Sequence, residues 1–94
     1  ARPARRKSIQ LKMIRALAKA DRMPNALSLA HFLSETYPMD ADYHIAYGRL
    51  LLEQKQYARA DIQLRQAMIL DPVNPLPDSL RRAIPKNIRI PNAP

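Results

Sequence analysis

Pro38 and Pro72 stand 34 residues apart, and the same interval separates Leu17 from Leu51, Met23 from Tyr57 and Ala26 from Ala60. An interval of this length, carrying a chain-breaking residue together with small and apolar ones, restricts the fold more than any composition figure. It calls for a supersecondary unit that is built, closed and built again, each copy burying an apolar face on the next. A chain of 94 residues has room for two such units and the start of a third.

Composition narrows the unit to helices. The chain has one glycine and no cysteine. Glycine-dependent hairpin turns, phosphate-cradling loops, dinucleotide fingerprints and nucleophile elbows need more glycine than this. Disulfide scaffolds, cysteine-ligated metal sites and thiol nucleophiles are excluded outright. No apolar run approaches the ~20 residues of a membrane-spanning helix. The opening Ala-Arg-Pro-Ala-Arg-Arg-Lys lacks the apolar region of a signal peptide; the sequence does not name the compartment, and a cytoplasmic one is favoured.

Periodicity then places the helices. Residues 1–7 show no period and read as a flexible basic arm. Ser8 is a fair N-cap for a first helix whose stripe is Ile9, Met13, Ala16, Leu17 and Ala20. Pro24 suits the first turn of a second helix, whose Ala26, Leu27, Leu29, Ala30, Phe32 and Leu33 predict burial between neighbours. Pro38 ends that helix near Tyr37, and Asp40 is a good N-cap for the third. Tyr43, Tyr47, Leu50 and Leu51 stripe the third helix; Tyr57, Ala60, Leu64, Ala67 and Met68 stripe the fourth, which closes at Leu70-Asp71-Pro72. A short helix over 77–84 carries Leu80, Ala83 and Ile84, and residues 85–94 read as a Pro-rich extended tail. The expected fold is therefore all-α: two antiparallel helical hairpins, a short C-terminal capping helix and flexible termini.

Residues 41–74 are similar to the tetratricopeptide repeat (TPR) family at Gly48, Tyr57, Ala60, Ala67 and Pro72. Residues 7–40 resemble it more faintly, through Ala26 and Pro38. There are departures. His44 stands where the family often has tryptophan, Tyr47 where it has leucine and Leu51 where it has tyrosine. Ile14 takes the usual glycine position and Ala30 the large aromatic one, as if large and small residues had traded places. The residues taken alone also allow an unrelated four- or five-helix bundle; the matches at one period favour the repeat.

Charge is distributed in blocks. The net +8 splits into +7 over residues 1–22, −2 over 23–72 and +3 over 73–94. A near-neutral body with basic ends suits an acidic partner. The arm contributes Arg2, Arg5, Arg6 and Lys7, and a nucleic-acid-binding or ribonucleoprotein role through it is the alternative function. No aromatic occurs in residues 1–31, so contacts there would be to phosphate and independent of sequence. An anionic membrane surface is a third reading.

The TPR resemblance implies a more specific surface. First helices of such hairpins line a concave groove that holds an extended peptide or a helix. Carried over by position, the groove residues are Ser8, Leu11, Lys12, Arg15 and Lys19, followed by Asp42, Ile45, Ala46, Arg49 and Glu53. Lys12, Arg15, Lys19 and Arg49 make it basic, which favours an acidic peptide or helix or a terminal carboxylate. Arg15 and Arg49 occupy positions where chaperone-tail-binding members carry asparagine, so that partner is not expected. The resemblance implies a protein-binding adaptor, or a secretion-chaperone-like protein in complex assembly, with self-association as a further way to complete a short array.

Little points to catalysis. His31 and His44 fall on different helices, and His31 shares a face only with Glu35. No nucleophile, base and oxyanion donors assemble, and neither metal nor cofactor is expected.

Overall fold

The computed structural model describes residues 3–88, which form five α-helices and no strand. They are α1 (Pro3–Lys19), α2 (Met23–Thr36), α3 (Ala41–Glu53), α4 (Tyr57–Leu70) and α5 (Leu76–Arg81). Packing runs between neighbours, α1 on α2, α2 on α3, α3 on α4 and α4 on α5, with α1 also touching α3. The expected all-α architecture with a short C-terminal helix is present.

The 34-residue interval recurs in the backbone. Arg22 N–H donates to Leu17 O and Gln56 N–H to Leu51 O, both at 2.9 Å. Tyr37 N–H bonds Leu33 O and Asp71 N–H bonds Ala67 O; Asp40 N–H bonds Tyr37 O and Asn74 N–H bonds Asp71 O. The two described non-glycine residues with positive φ, Asp21 (62°) and Lys55 (59°), are separated by the same interval. Each sits in the tight turn inside a hairpin, where a left-handed residue reverses the chain after the helix.

Pro24 and Pro77 lie in the first turns of α2 and α5, where a missing N–H costs nothing. Asp40 caps α3 by accepting from Asp42 N–H at 3.0 Å. The core joins Ile14, Ala26, Ala30, Leu33, Tyr43, Tyr47, Leu50, Leu51 and Ala60. At the α3–α4 crossing, Gly48 faces Leu64: a Cβ there would lie 2.8 Å from Leu64 Cδ2 and 2.9 Å from Cγ. One interval earlier the sizes are exchanged, with Ile14 and Ala30 both buried. The large-for-small trade read from the sequence therefore falls within a closed core.

Four expectations need correction. The residues assigned to the arm are helical from Pro3 onward, and Ser8 is an interior residue of α1. Proline is well placed as a first helical residue, and Ala-Arg-Arg-Lys are strong helix formers with nothing to stop propagation. Arg2 and residues 89–94 of the tail lie outside the described residues. Second, the packed side of α1 is Gln10, Leu11, Ile14, Leu17 and Ala18; Ile9 is 53% and Met13 49% exposed, and Ala16 and Ala20 also face out. Both stripes are apolar, and the positions of α2 and α3 decide between them. Third, α2 is not covered all round, because Phe32 is exposed. Fourth, the capping helix spans Leu76–Arg81, with turns beyond it.

Candidate functional site

The first helices of the two hairpins, α1 and α3, lie side by side and leave a groove of about 480 Å³. Its floor is apolar: Leu11, Ile14 and Ala18 from α1, and Ile45, Ala46 and Leu50 from α3. Its rim is charged. Arg15 and Lys19 stand on the α1 side, with Asp42, Arg49 and Glu53 on the α3 side. Lys12 lies just outside, in an adjoining shallow depression with Lys7, Ser8, Leu11 and Arg15. All the sequence-assigned groove residues are thus on this one side of the molecule. Arg15 and Arg49 occupy equivalent positions on adjacent helices, one interval apart. Neither makes an ion pair with any described residue, so both guanidinium groups are free to meet an anion.

Helical spacing explains the arrangement. Leu11, Ile14, Arg15, Ala18 and Lys19 recur at three and four residues and fall on one side of α1. Ile45, Arg49 and Glu53 do the same on α3. The sequence reading missed the floor residues Ile14, Ala18 and Leu50, and Leu76 of α5, which closes one end of the groove. The signal for Leu76 was present: it follows Asp42 by one interval and Ser8 by two.

The arm residues are divided. Arg5 and Arg6 are exposed on the first turns of α1. Lys7 is tied down, its Nζ 3.0 Å from Asp40 Oδ2 and 2.8 Å from Asp42 Oδ2. Burial pulls the Lys7 pKa down, but hydrogen bonds and charge attraction from Asp42 and Asp40 outweigh it and hold the ammonium above the ordinary 10.5. Beside it the Tyr43 hydroxyl donates to Gln10 Oε1. Burial first, and then the Asp40 carboxylate, push this phenol above the ordinary 10.0. These contacts fix α1 against α3 at one end of the groove.

The histidines serve packing. His31 lies 2.6 Å from Glu35 one turn along and packs edge-on against Tyr47. His44, buried at the foot of α3, has Nε2 at 2.8 Å from the Pro38 carbonyl and Nδ1 at 2.8 Å from Gln63 Oε1. Among the described residues no three potential metal-ligating side chains cluster, and no helix is long and apolar enough to cross a membrane.

One buried charge escaped the sequence reading. Asp61 is 3% exposed on α4 and receives Arg81 Nε from α5 at 2.8 Å. Arg65 Nε is also 2.7 Å from Asp61 Oδ2, but its N–H does not point along a hydrogen-bonding direction. Arg81 is therefore the better partner, and it anchors α5, which brings Leu76 to the groove.

No family model, curated protein or solved structure matches the chain.

Proposed function

We propose that the protein is a non-catalytic, TPR-like protein-binding module of the adaptor or secretion-chaperone kind. Its groove takes an acidic amphipathic peptide or helix from a partner. The observation that carries this reading is the pairing of an apolar floor (Leu11, Ile14, Ile45, Leu50) with two arginines, Arg15 and Arg49, that have no ion-pair partner among the described residues. Apolar side chains of the ligand supply most of the binding free energy, at about 25 cal/mol per Å² removed from water. Carboxylates bound to Arg15, Lys19 and Arg49 set its orientation. The family assignment draws on the 34-residue recurrence of turns, capping hydrogen bonds and left-handed residues.

A charge-reversal experiment tests it. An environment-sensitive label on Glu53→Cys at the groove rim should report saturable binding of a Leu/Glu-rich amphipathic peptide that Arg15→Glu/Arg49→Glu weakens at least tenfold. A Leu/Lys peptide of the same pattern should not bind. Binding through phosphate contacts alone would fall steeply between ~50 and ~200 mM salt, whereas the apolar floor should preserve peptide binding. A nucleic-acid oligomer that binds more tightly than any acidic peptide, insensitive to Ile45→Glu, would replace this reading with the nucleic-acid alternative.

A further inference from the structure

The outer side of α1, turned away from α3, carries Ile9 at 53% exposure, Met13 at 49% and the exposed Ala16. One interval later these positions are Tyr43, Tyr47 and Leu50 on α3, buried to 3%, 4% and 4% exposure. A helix accounts for the difference. α2 lies on α3, stacking Tyr37 on Tyr43 with ring centroids 5.4 Å apart and setting His31 edge-on to Tyr47 at the same separation. The positions of Ile9 and Met13 therefore occur twice in the molecule, once covered from the α2 side and once bare, while the counterpart of Ala16, Leu50, belongs to the groove floor. We propose that this α1 face is a docking surface, separate from the groove, for an amphipathic helix of a partner protein whose apolar stripe is bordered by acidic side chains.

The border selects the occupant. Helix α1 carries Arg5, Arg6, Lys7, Lys12, Arg15 and Lys19 and no acidic residue. The exposed Arg5 and Lys12 flank the Ile9–Met13 stripe on one side, and the exposed Arg6 flanks it on the other. Two copies meeting through this face would set these cations against their own kind. The far end of a second copy fits no better, because α5 packs on α4 there and its Asp78 is already paired with Arg81 and Arg82, which leaves it no spare carboxylate for these cations. A helix with acidic flanks meets the cations and supplies what α2 supplies to α3. A polyanion would satisfy the charges but leave Ile9 and Met13 bare.

The chain has no cysteine, so a single introduced thiol reports one place. The full chain is made as Met13→Cys and, separately, as Glu53→Cys at the groove rim, each labelled with an environment-sensitive fluorophore. The probe is a synthetic helical peptide with leucines one turn apart and glutamates on both flanks; a lysine-flanked peptide and a single-stranded oligonucleotide are the controls. The glutamate-flanked peptide should shift emission at position 13 saturably, and the label at position 53 follows occupancy of the groove separately. On unlabelled protein, calorimetry should count one peptide site fewer for Ile9→Ser/Met13→Gln than for the unsubstituted chain, while Arg15→Glu/Arg49→Glu changes the affinity read at position 13 less than twofold. Both sites of the first pair are exposed, and circular dichroism verifies that the variant keeps its melting transition. No saturable shift at position 13, an equal shift from the lysine-flanked peptide, displacement by the oligonucleotide without loss in the Ile9/Met13 variant, or a dimer in sedimentation that this variant abolishes would each overturn the proposal. The groove variants keep this outcome independent of the function proposed above.

Discussion

Gly48→Ala isolates the helix crossing that holds the second hairpin together. The added methyl would lie 2.8 Å from Leu64 Cδ2 and 2.9 Å from Cγ, with Ala60 O at 3.5 Å. Leu64 is fully buried. Its Cγ is not a free end that can swing away, so relief requires a rotamer change or a parting of α3 and α4. Overpacking of this kind costs about 1–3 kcal/mol. Alanine returns about 1 kcal/mol of helix propensity in the middle of α3, which leaves a net loss of about 0–2 kcal/mol. In a domain of this size that lowers the melting temperature by up to roughly 15 °C. Urea unfolding followed by far-ultraviolet circular dichroism measures it. The second arm of the experiment is Leu64→Ala, which alone should cost about 2–5 kcal/mol. In that background the clashing atoms are gone, so Gly48→Ala should be neutral or stabilise by up to about 1 kcal/mol through propensity. The pair should thus show a coupling of about 2 kcal/mol. Equal effects of Gly48→Ala in both backgrounds, or stabilisation in the wild-type chain, would refute the steric argument.

Lys55→Gly should stabilise the protein by about 0.5 kcal/mol. Relief of left-handed strain at φ 59° exceeds the extra entropy glycine brings to the unfolded chain, and a rise in melting temperature checks it. Arg81→Ala removes the well-aligned donor to buried Asp61 and should cost about 1.5–3 kcal/mol, with increased hydrogen exchange in α5. Lys7 and Tyr43 both have folded-state pKa values above their ordinary 10.5 and 10.0. Each contribution is complete below the ordinary value and is lost as pH rises through the folded one, so stability should fall in the alkaline range above about 10. Lys7→Met should flatten the lysine part of that fall, and ultraviolet absorbance should show the Tyr43 phenol titrating late.

The breaks in the chain were legible because proline and aspartate act locally. Pro24, Pro38, Asp40 and Pro72 need only their own dihedral limits and hydrogen bonds to mark helix ends. The second hairpin's core was legible because each of its helices has one dominant apolar side. Helix α1 was not, because Ile9-Met13 and Leu11-Ile14 are equally apolar and only the neighbouring helices decide which is covered. Its start at Pro3 was hidden by a run of basic residues that reads as an arm in isolation yet propagates a helix well. The groove rim followed from the TPR resemblance carried over by position, whereas its floor and the Leu76 end wall required three helices to be placed together. Asp61 was passed over because burial of a charge depends on Arg81, a residue 20 positions away on another helix.

Packing chiefly between chain neighbours also has a consequence for how order is shared along the molecule. Each helix leans chiefly on the next, so the array resembles a short row of coupled units whose ends open more readily than its middle. The groove draws its walls from α1, α3 and α5, which are the two ends and the centre of that row. A ligand lying along it therefore bridges helices that the fold couples mainly through their neighbours. Occupancy should slow hydrogen exchange most in α1 and α5 and least in α3, so that the bound molecule unfolds as one unit where the free one frays from both ends.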